Sequence, residues 1–204
     1  MIGIDCGLNG GISIIDDDIS VCSMPVKKED EKKVYDIEKI LTLFRKYVGK
    51  DVVFCIERQG VRPGESGTSA LTIGKNYGLL LGAAMAFGFN VIIVTPQKWK
   101  KFYDELSITP EIEGLRSKAK SLEEQLKTVK DKAEKKRIKK EADSTRRGIK
   151  VMAKDNARLL AAKLYPELAK EFALKKDDGK AEAVLIANFC KATYSLREGN
   201  NGLV

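Results

Sequence analysis

The sequence of 204 residues contains no histidine. Histidine is the side chain that most often acts as a general base near neutral pH and as a zinc ligand. Its absence therefore excludes imidazole-based catalytic triads and most zinc enzymes. Any acid–base or metal chemistry in this chain must rest on carboxylates, lysines or cysteines.

Cysteines and long apolar runs are also scarce. The four cysteines include no C-x-x-C pair, which disfavours structural zinc, and disulfides are not expected in a reducing compartment. We expect free thiols at Cys6, Cys22, Cys55 and Cys190. No run approaches the ~18–20 apolar residues of a membrane span, and the acidic fifth residue does not suit a secretory signal. The sequence therefore predicts no membrane contact and a cytosol-like compartment.

Acidic residues are fewer than basic ones. The chain has 29 Asp and Glu against 37 Lys and Arg, which gives a net charge of +8. A surplus of this sign favours a polyanionic partner, with nucleic acid first. Residues 111–150 hold 14 of the basic and 8 of the acidic residues, so this single segment accounts for most of the net charge.

Short strand-like runs and helical patterns alternate outside that segment. Three strands come first, then a charged connector, and then helix, strand, helix, strand and helix. In chain order these segments are MIGIDCG, GGISIID, ISVCSMP, KKEDEKK, DIEKILTLFRKYV, DVVFCIE, SALTIGKNYGLLLGAAMAFG, NVIIVT and PQKWKKFYDEL. The order predicts an α/β fold with a mixed sheet and helices on its faces. The second of these helices is expected to be buried, because Gly74, Gly78 and Gly82 permit close packing.

Residues 111–149 differ in kind from the rest. Apolar side chains recur there in steps of three and four, as in a coiled-coil seam. The pattern breaks at EKKR and then resumes. One long helix with a stutter fits, as does a helical hairpin that turns near residues 134–137. The hairpin is favoured because each arm has its own seam. We expect it to be inserted into one domain formed by residues 1–110 and 150–204.

Four carboxylates stand out by their positions. Asp5 and Glu57 end apolar strands, where an acid is costly unless it is paired or bound to a metal. Asp178 and Glu182 are four residues apart, so they point from one face of the last helix, although Asp178 could instead cap that helix. Carboxylates without histidine suit Mg²⁺ or Mn²⁺. Two such ions can activate water and stabilise the leaving oxygen of a phosphodiester. Asp177 is expected to contact the metal-ligating carboxylates rather than the metal ion itself.

Four segments, in order and spacing, resemble the RuvC-like Holliday junction resolvases of the RNase H-like superfamily, with viral, phage and organellar members most similar. These segments are GIDCGLNGGISII, CIERQG, SALTIGKNYG and DDGKAEAVLIA. The resemblance implies an RNase H-like five-stranded sheet with its first three strands antiparallel. It also implies a homodimer that nicks two opposed strands of a four-way DNA junction symmetrically. The family's catalytic, metal-binding acids fall on Asp5, Glu57, Asp178 and Glu182.

DNA contacts are expected around these acids. Bacterial members insert an aromatic side chain at the junction centre, and the corresponding position here is Gly60. Arg58, Gln59 and Arg62 on the same loop could take that role by contacting phosphates or stacking on bases. The other basic residues that suit DNA binding are Lys75, Lys98, Lys100, Lys101 and Lys180.

Two further residue patterns lie near the same edge of the sheet. Trp99 is expected to pack in the core rather than to stack on a base. Gly7, Gly10 and Gly11 are expected to turn the chain tightly and to let a DNA backbone come close.

Two other function classes fit parts of the sequence. IDCGLNGG also resembles the first phosphate loop of sugar kinases and actin-like ATPases, but 204 residues leave no room for their second domain. A non-catalytic junction-binding protein is disfavoured because all four acids are present. We therefore expect a metal-dependent, structure-selective endodeoxyribonuclease with two Mg²⁺ or Mn²⁺ ions and no nucleotide cofactor. Its expected location is the cytoplasm, that of the host if the gene is viral or phage-borne.

Overall fold

A computed structural model describes residues 1–61, 64–103 and 109–200, with side chains to residue 193. The strands are β1 Ile2–Asp5, β2 Gly11–Ile15, β3 Ile19–Ser23, β4 Val26–Glu29, β5 Lys32–Tyr35, β6 Val53–Glu57 and β7 Asn90–Val94. The α-helices are α1 Ile37–Arg45, α2 Gly67–Ala86, α3 Pro96–Phe102, α4 Pro110–Thr128, α5 Lys132–Leu164 and α6 Asp178–Asn200. Two 3₁₀ helices, Pro166–Phe172 and Lys175–Asp177, connect α5 to α6.

Five of the strands form one mixed sheet in the order β3–β2–β1–β6–β7. β1 pairs antiparallel with β2, and β2 pairs antiparallel with β3. β6 and β7 extend the sheet parallel to β1. The predicted α/β fold with a five-stranded mixed sheet is therefore confirmed, while its RNase H-like identity stays a prediction.

Helices cover both faces of this sheet, because its central strands are apolar on both sides. One face packs Ile4, Ile12 and Phe54 against α1 and the C-terminal half of α2. The other face of the sheet packs β6 and the end of β2 against three helices. These are α3, the C-terminal part of α5, and α6. Helix α2 is less buried than its sequence predicts, since only Leu80 and Ala84 are buried on it.

Glycines let α6 approach the sheet and the loop after β1. A Cβ atom on Gly3 would overlap the Ala183 carbonyl oxygen, and one on Gly11 would lie 2.8 Å from the Gly179 carbonyl oxygen. Gly10 and Gly179 also form an isolated β-bridge. Of the three glycines that were expected to admit a DNA backbone, Gly10 and Gly11 are thus crowded by the start of α6 and fix where this helix begins, whereas Gly7 contacts only its own loop.

The charged connector KKEDEKK is a β-hairpin, which its composition did not predict. Lys28 pairs with Lys33, and Glu29 pairs with Lys32. Asp30 and Glu31 have φ angles of 46° and 60°, as in the tight type I′ turn that matches strand twist. The Tyr35 hydroxyl donates to the Cys6 carbonyl oxygen, so the hairpin is anchored beside the end of β1.

Residues 110–164 form the predicted helical hairpin, but the turn lies at residues 129–131 rather than 134–137. Asp131 caps α5 by accepting a hydrogen bond of 2.7 Å from the Glu134 backbone N–H. The D-x-x-E spacing is a helix start signal that the seam pattern obscured. Leu122, Ile138 and Ala142 form the buried seam between the arms.

Helix α5 belongs to both the hairpin and the core. It runs unbroken through the expected boundary at residues 149 and 150, and Ala157, Leu160 and Ala161 pack in the core. At 33 residues it is about 50 Å long. Of the helices described, none is both long and apolar enough to cross a membrane.

The cysteines are free thiols, as predicted. Cys6, Cys55 and Cys190 are buried, and Cys22 is partly exposed.

Candidate functional site

The four singled-out carboxylates line one cleft of about 840 Å³. Asp5 and Glu57 end β1 and β6, which are parallel neighbours, so both side chains reach the same edge of the sheet. Asp178 and Glu182 come from the first turns of α6, which begins at that edge. The structure brings all four together, while their catalytic and metal-binding roles stay predictions.

Glu57 is the most firmly held of these acids. Its side chain is buried, and its two oxygens accept hydrogen bonds from Trp99 Nε1 at 2.9 Å and Gln59 Nε2 at 3.0 Å. Burial raises the pKa of Glu57, and the two donors partly oppose this. Trp99 is fully buried, which confirms its predicted place in the core. Its hydrogen bond to the site was not predicted.

Asp5 lies in a strongly unfavourable setting for a charge. Burial and the neighbouring Glu182 and Glu57 carboxylates raise the pKa of Asp5 to about 8. The Gly7 backbone N–H donates to its Oδ1 at 3.1 Å and opposes part of this effect. Asp5 therefore holds a proton at neutral pH, unless a cation enters the cleft to offset the neighbouring charges.

Two lysines from different helices neutralise the acids of α6. Lys100 on α3 forms an ion pair of 3.0 Å with Glu182. Lys154 on α5 forms an ion pair with Asp178. Lys150, one turn before Lys154, also lines the cleft. Lys150 and Lys154 were missed from the sequence, although their spacing on the side of α5 away from the apolar seam was a usable signal.

The donor set fits a hard metal ion, since carboxylate oxygens are the ligands that Mg²⁺ and Mn²⁺ prefer. Burial is the main cause of the raised pKa of Asp5, and repulsion from Glu182 and Glu57 adds to it; a bound cation would relieve that repulsion. Within residues 1–61, 64–103 and 109–200, however, no group of three or more His, Cys, Asp or Glu side chains is positioned to hold a metal ion. Lys100 and Lys154 instead engage two of the four carboxylates.

The expected DNA contacts are divided between the cleft and other surfaces. Arg58, Gln59 and Lys100 line the cleft. Lys98 and Lys101 are exposed on α3 and do not line the cleft. Arg62 lies outside the described residues.

Two expected residues near the end of the cleft have structural partners. Lys180 bonds to Glu171 at 2.8 Å and Asp177 at 3.1 Å, so its ammonium group is not aimed at the four acids. The buried Asp177 also accepts from the Leu174 backbone N–H at 3.0 Å. Asp177 therefore anchors the turn before α6 and does not line the cleft.

Lys75 lies at a second, smaller cavity. This cavity is formed between α2 and the β4–β5 hairpin, and Lys27 and Lys33 also line it. Lys75 is thus separated from the candidate site described above.

No family model matches this chain, and no curated protein sequence matches it. The cleft and its side chains are therefore the basis for the functional proposal.

Proposed function

We propose that this protein is a metal-dependent, structure-selective endodeoxyribonuclease of the RuvC-like kind, which resolves four-way DNA junctions by paired nicks. The observation that carries the proposal is the convergence of Asp5, Glu57, Asp178 and Glu182 in one cleft beside two lysines. Carboxylates at a cleft with a basic surround suit hydrolysis of a phosphodiester. An RNase H-like fold and a role in DNA recombination and repair are part of this proposal.

Asp5, Glu57, Asp178 and Glu182 are the residues that would hold Mg²⁺ or Mn²⁺. Two such ions would supply an activated water and stabilise the leaving oxygen. Trp99 and Gln59 hold the Glu57 carboxylate in place for this purpose. A bound cation would offset the charges of the neighbouring acids and lower the raised pKa of Asp5, so Asp5 would then lose its proton.

Lys100 and Lys154 have two successive roles in this proposal. Without metal they neutralise Glu182 and Asp178, which keeps the acidic cleft folded. If a metal ion bound these carboxylates, the ammonium groups of Lys100 and Lys154 would be free to face the cleft. There they would bind a non-bridging phosphate oxygen and offset charge that develops during bond cleavage.

The loop after β6 is the proposed contact with the junction centre. Arg58, Gln59, Gly60 and Val61 line the same cleft as the acids. Val61 is 57% exposed, although it is a large apolar side chain. We assign phosphate contact to Arg58, which needs no aromatic wedge at position 60.

Paired nicks require a second active site, and the exposed apolar face of α2 is the proposed homodimer surface. Leu71 and Met85 are 73% and 63% exposed on this helix. Added Cβ atoms at Gly74, Gly78 and Gly82 would meet nothing within 4 Å among the described residues. These glycines recur every four residues and leave room for the backbone of an identical helix.

The test is a comparison of four labelled substrates: four-way junction, linear duplex, flap and RNA–DNA hybrid. With Mg²⁺, wild-type protein is expected to nick the junction at least about tenfold faster than the duplex. EDTA is expected to stop the reaction. Equal cutting of duplex and junction would contradict junction selectivity, and ATP hydrolysis in place of cutting would favour a phosphate-loop enzyme. We place the activity in the cytoplasm, of the host if the gene is viral or phage-borne.

A further inference from the structure

The positive charge of the helical hairpin is concentrated on one of its two arms. The α5 arm from Lys132 to Lys154 carries ten Lys and Arg against three Asp and Glu. The whole of α4 carries four of each sign. The charge surplus of the insert therefore belongs to α5.

The basic residues of α5 also share one face. Lys136, Lys140, Arg147, Lys150 and Lys154 fall at the helical steps of three and four that keep side chains on one side, with Asp143 completing the series. The buried seam residues of α5 follow a parallel series that is offset by two residues. Two residues correspond to about 200° around a helix. The basic series therefore points away from α4, and we call it the α5 basic stripe.

A solubility role does not explain the α5 basic stripe. The corresponding outward face of α4 is offset from its own seam in the same way and is equally in need of solvation. That face has no net charge, because its two lysines are balanced by two glutamates; its residues are Glu113, Ser117, Lys120, Glu124 and Lys127. The two arms are thus asymmetric in charge although their packing is alike.

The outer residues of the stripe are also exposed and have no acidic partner among the described residues. The hairpin's ion pairs involve other side chains, such as Lys118 with Glu141 and Arg137 with Glu134. In the described part of the chain, Lys136, Lys140 and Arg147 form no ion pair, and all three are exposed. Their charge is available to an external anion.

The stripe leads into the candidate active site. Lys150 and Lys154 line the cleft, and Lys154 reaches Asp178. From Lys154 to Lys136 the helix rises about 27 Å. This length matches about 8 base pairs of duplex DNA at 3.4 Å per base pair.

We propose that the α5 basic stripe binds the phosphate backbone of one duplex arm of the branched DNA whose scissile phosphate lies in the cleft. This inference rests on the proposed function and adds a second DNA-binding surface outside the cleft. It predicts that affinity depends on arm length, because an arm shorter than the stripe leaves its outer residues without phosphates.

The test compares two matched triple variants that remove equal charge from exposed residues. The first is Lys136→Gln, Lys140→Gln and Arg147→Gln on α5. The second is Arg116→Gln, Lys120→Gln and Lys127→Gln on α4. Binding is measured in EDTA by fluorescence anisotropy over a salt series, with junctions whose arms are about 6 or about 20 base pairs long. Circular dichroism checks that both variants keep the helix content of the wild type.

The α5 variant is expected to lose about tenfold in affinity for the long-arm junction, and its log–log salt slope is expected to fall by about three. Its preference for long arms over short arms should shrink toward unity. The α4 variant is expected to stay within about twofold of the wild type. Equal losses of affinity in both variants, or no loss in the α5 variant, would overturn the proposed DNA-binding role of the stripe. Either result would leave the nuclease proposal intact. If the wild-type protein neither binds nor cuts a junction, both the stripe proposal and the nuclease proposal are overturned.

Discussion

Trp99 Nε1 donates a hydrogen bond of 2.9 Å to Oε1 of Glu57 and thereby ties helix α3 to the end of strand β6. Both side chains are buried, so the bond is shielded from water. A buried carboxylate that accepts this bond is fixed in direction, which a metal ligand or catalytic base requires. The indole is thus a positioning group for Glu57 as well as a core residue.

Substitution Trp99→Phe is expected to leave Glu57 Oε1 without its donor. The unpaired buried acceptor should cost about 1–3 kcal/mol of stability, and nicking should fall roughly tenfold or more. Because the donor lowers the pKa of Glu57, its loss raises that pKa further. The acidic limb of the pH–rate profile should therefore move to higher pH.

The control for this change is Tyr103→Phe, which removes a buried hydrogen bond of 2.9 Å to the Leu185 carbonyl oxygen. It should lower stability in urea denaturation without moving the pH–rate profile. If both variants show the same unshifted profile, Trp99 serves packing alone.

Asp5 should make the metal-free protein less stable as pH rises. Its ordinary pKa is 3.8 and burial with its acidic neighbours raises the folded-state pKa to about 8. Between these values the folded chain keeps a proton that the unfolded chain has lost, so rising pH favours unfolding. Relative to Asp5→Asn, the wild type should lose up to about 1.4 kcal/mol per pH unit across this window.

Urea denaturation in EDTA at several pH values between 5 and 8 measures this effect. Mg²⁺ added at pH 8 should then stabilise the wild type more than Asp5→Asn, because the cation offsets the clustered carboxylates. If the stability of the two proteins changes with pH in parallel, the pKa of Asp5 is not raised in the folded state.

Lys154→Met is expected to separate metal binding from catalysis. Removing the ammonium group frees Asp178, so Mn²⁺ should bind more tightly in calorimetric titration. The nicking rate should nevertheless fall by about 100-fold, since the phosphate loses a cation in the transition state. Lys46→Met, on the exposed end of α1, should change neither quantity. Weaker Mn²⁺ binding by Lys154→Met would contradict the exchange of lysine for metal.

Gly78→Leu is expected to weaken the proposed homodimer. A side chain here meets nothing within 4 Å in the described part of the chain, so the monomer fold should persist. It would, however, fill the space reserved for the partner helix and raise the dimer dissociation constant at least about tenfold. Sedimentation equilibrium measures this constant. Gly114→Leu on α4 is the matched control, because Gly114 is equally open. Wild-type protein that sediments as a monomer would refute the dimer surface.

Much of this architecture could be predicted because apolar runs in the sequence are strongly patterned. Strands such as β6 are almost wholly apolar, and a carboxylate at the end of such a strand is conspicuous. The hairpin was predictable from its two seams, which follow helical spacing. The parallel pairing of β1 and β6 then brings Asp5 and Glu57 to one edge without further signals.

Other elements depend on local geometry that composition does not reveal. The β4–β5 hairpin consists mostly of charged residues, and its turn places Asp30 and Glu31 at positive φ, which is unusual for residues other than glycine. Lys154 is one of many lysines on α5, and only the approach of α5 to α6 pairs it with Asp178. Lys180 lies between two of the acids in sequence, yet Glu171 and Asp177 hold its side chain.

The most direct measurement of the central claim maps nicks on a four-way junction whose strands are labelled one at a time. With Mg²⁺, wild-type protein should cut two opposed strands at symmetric positions, and Asp5→Asn should bind the junction without cutting it. An uncut junction in the presence of Mg²⁺ or Mn²⁺, or the same cutting by Asp5→Asn, would contradict a carboxylate-dependent junction nuclease.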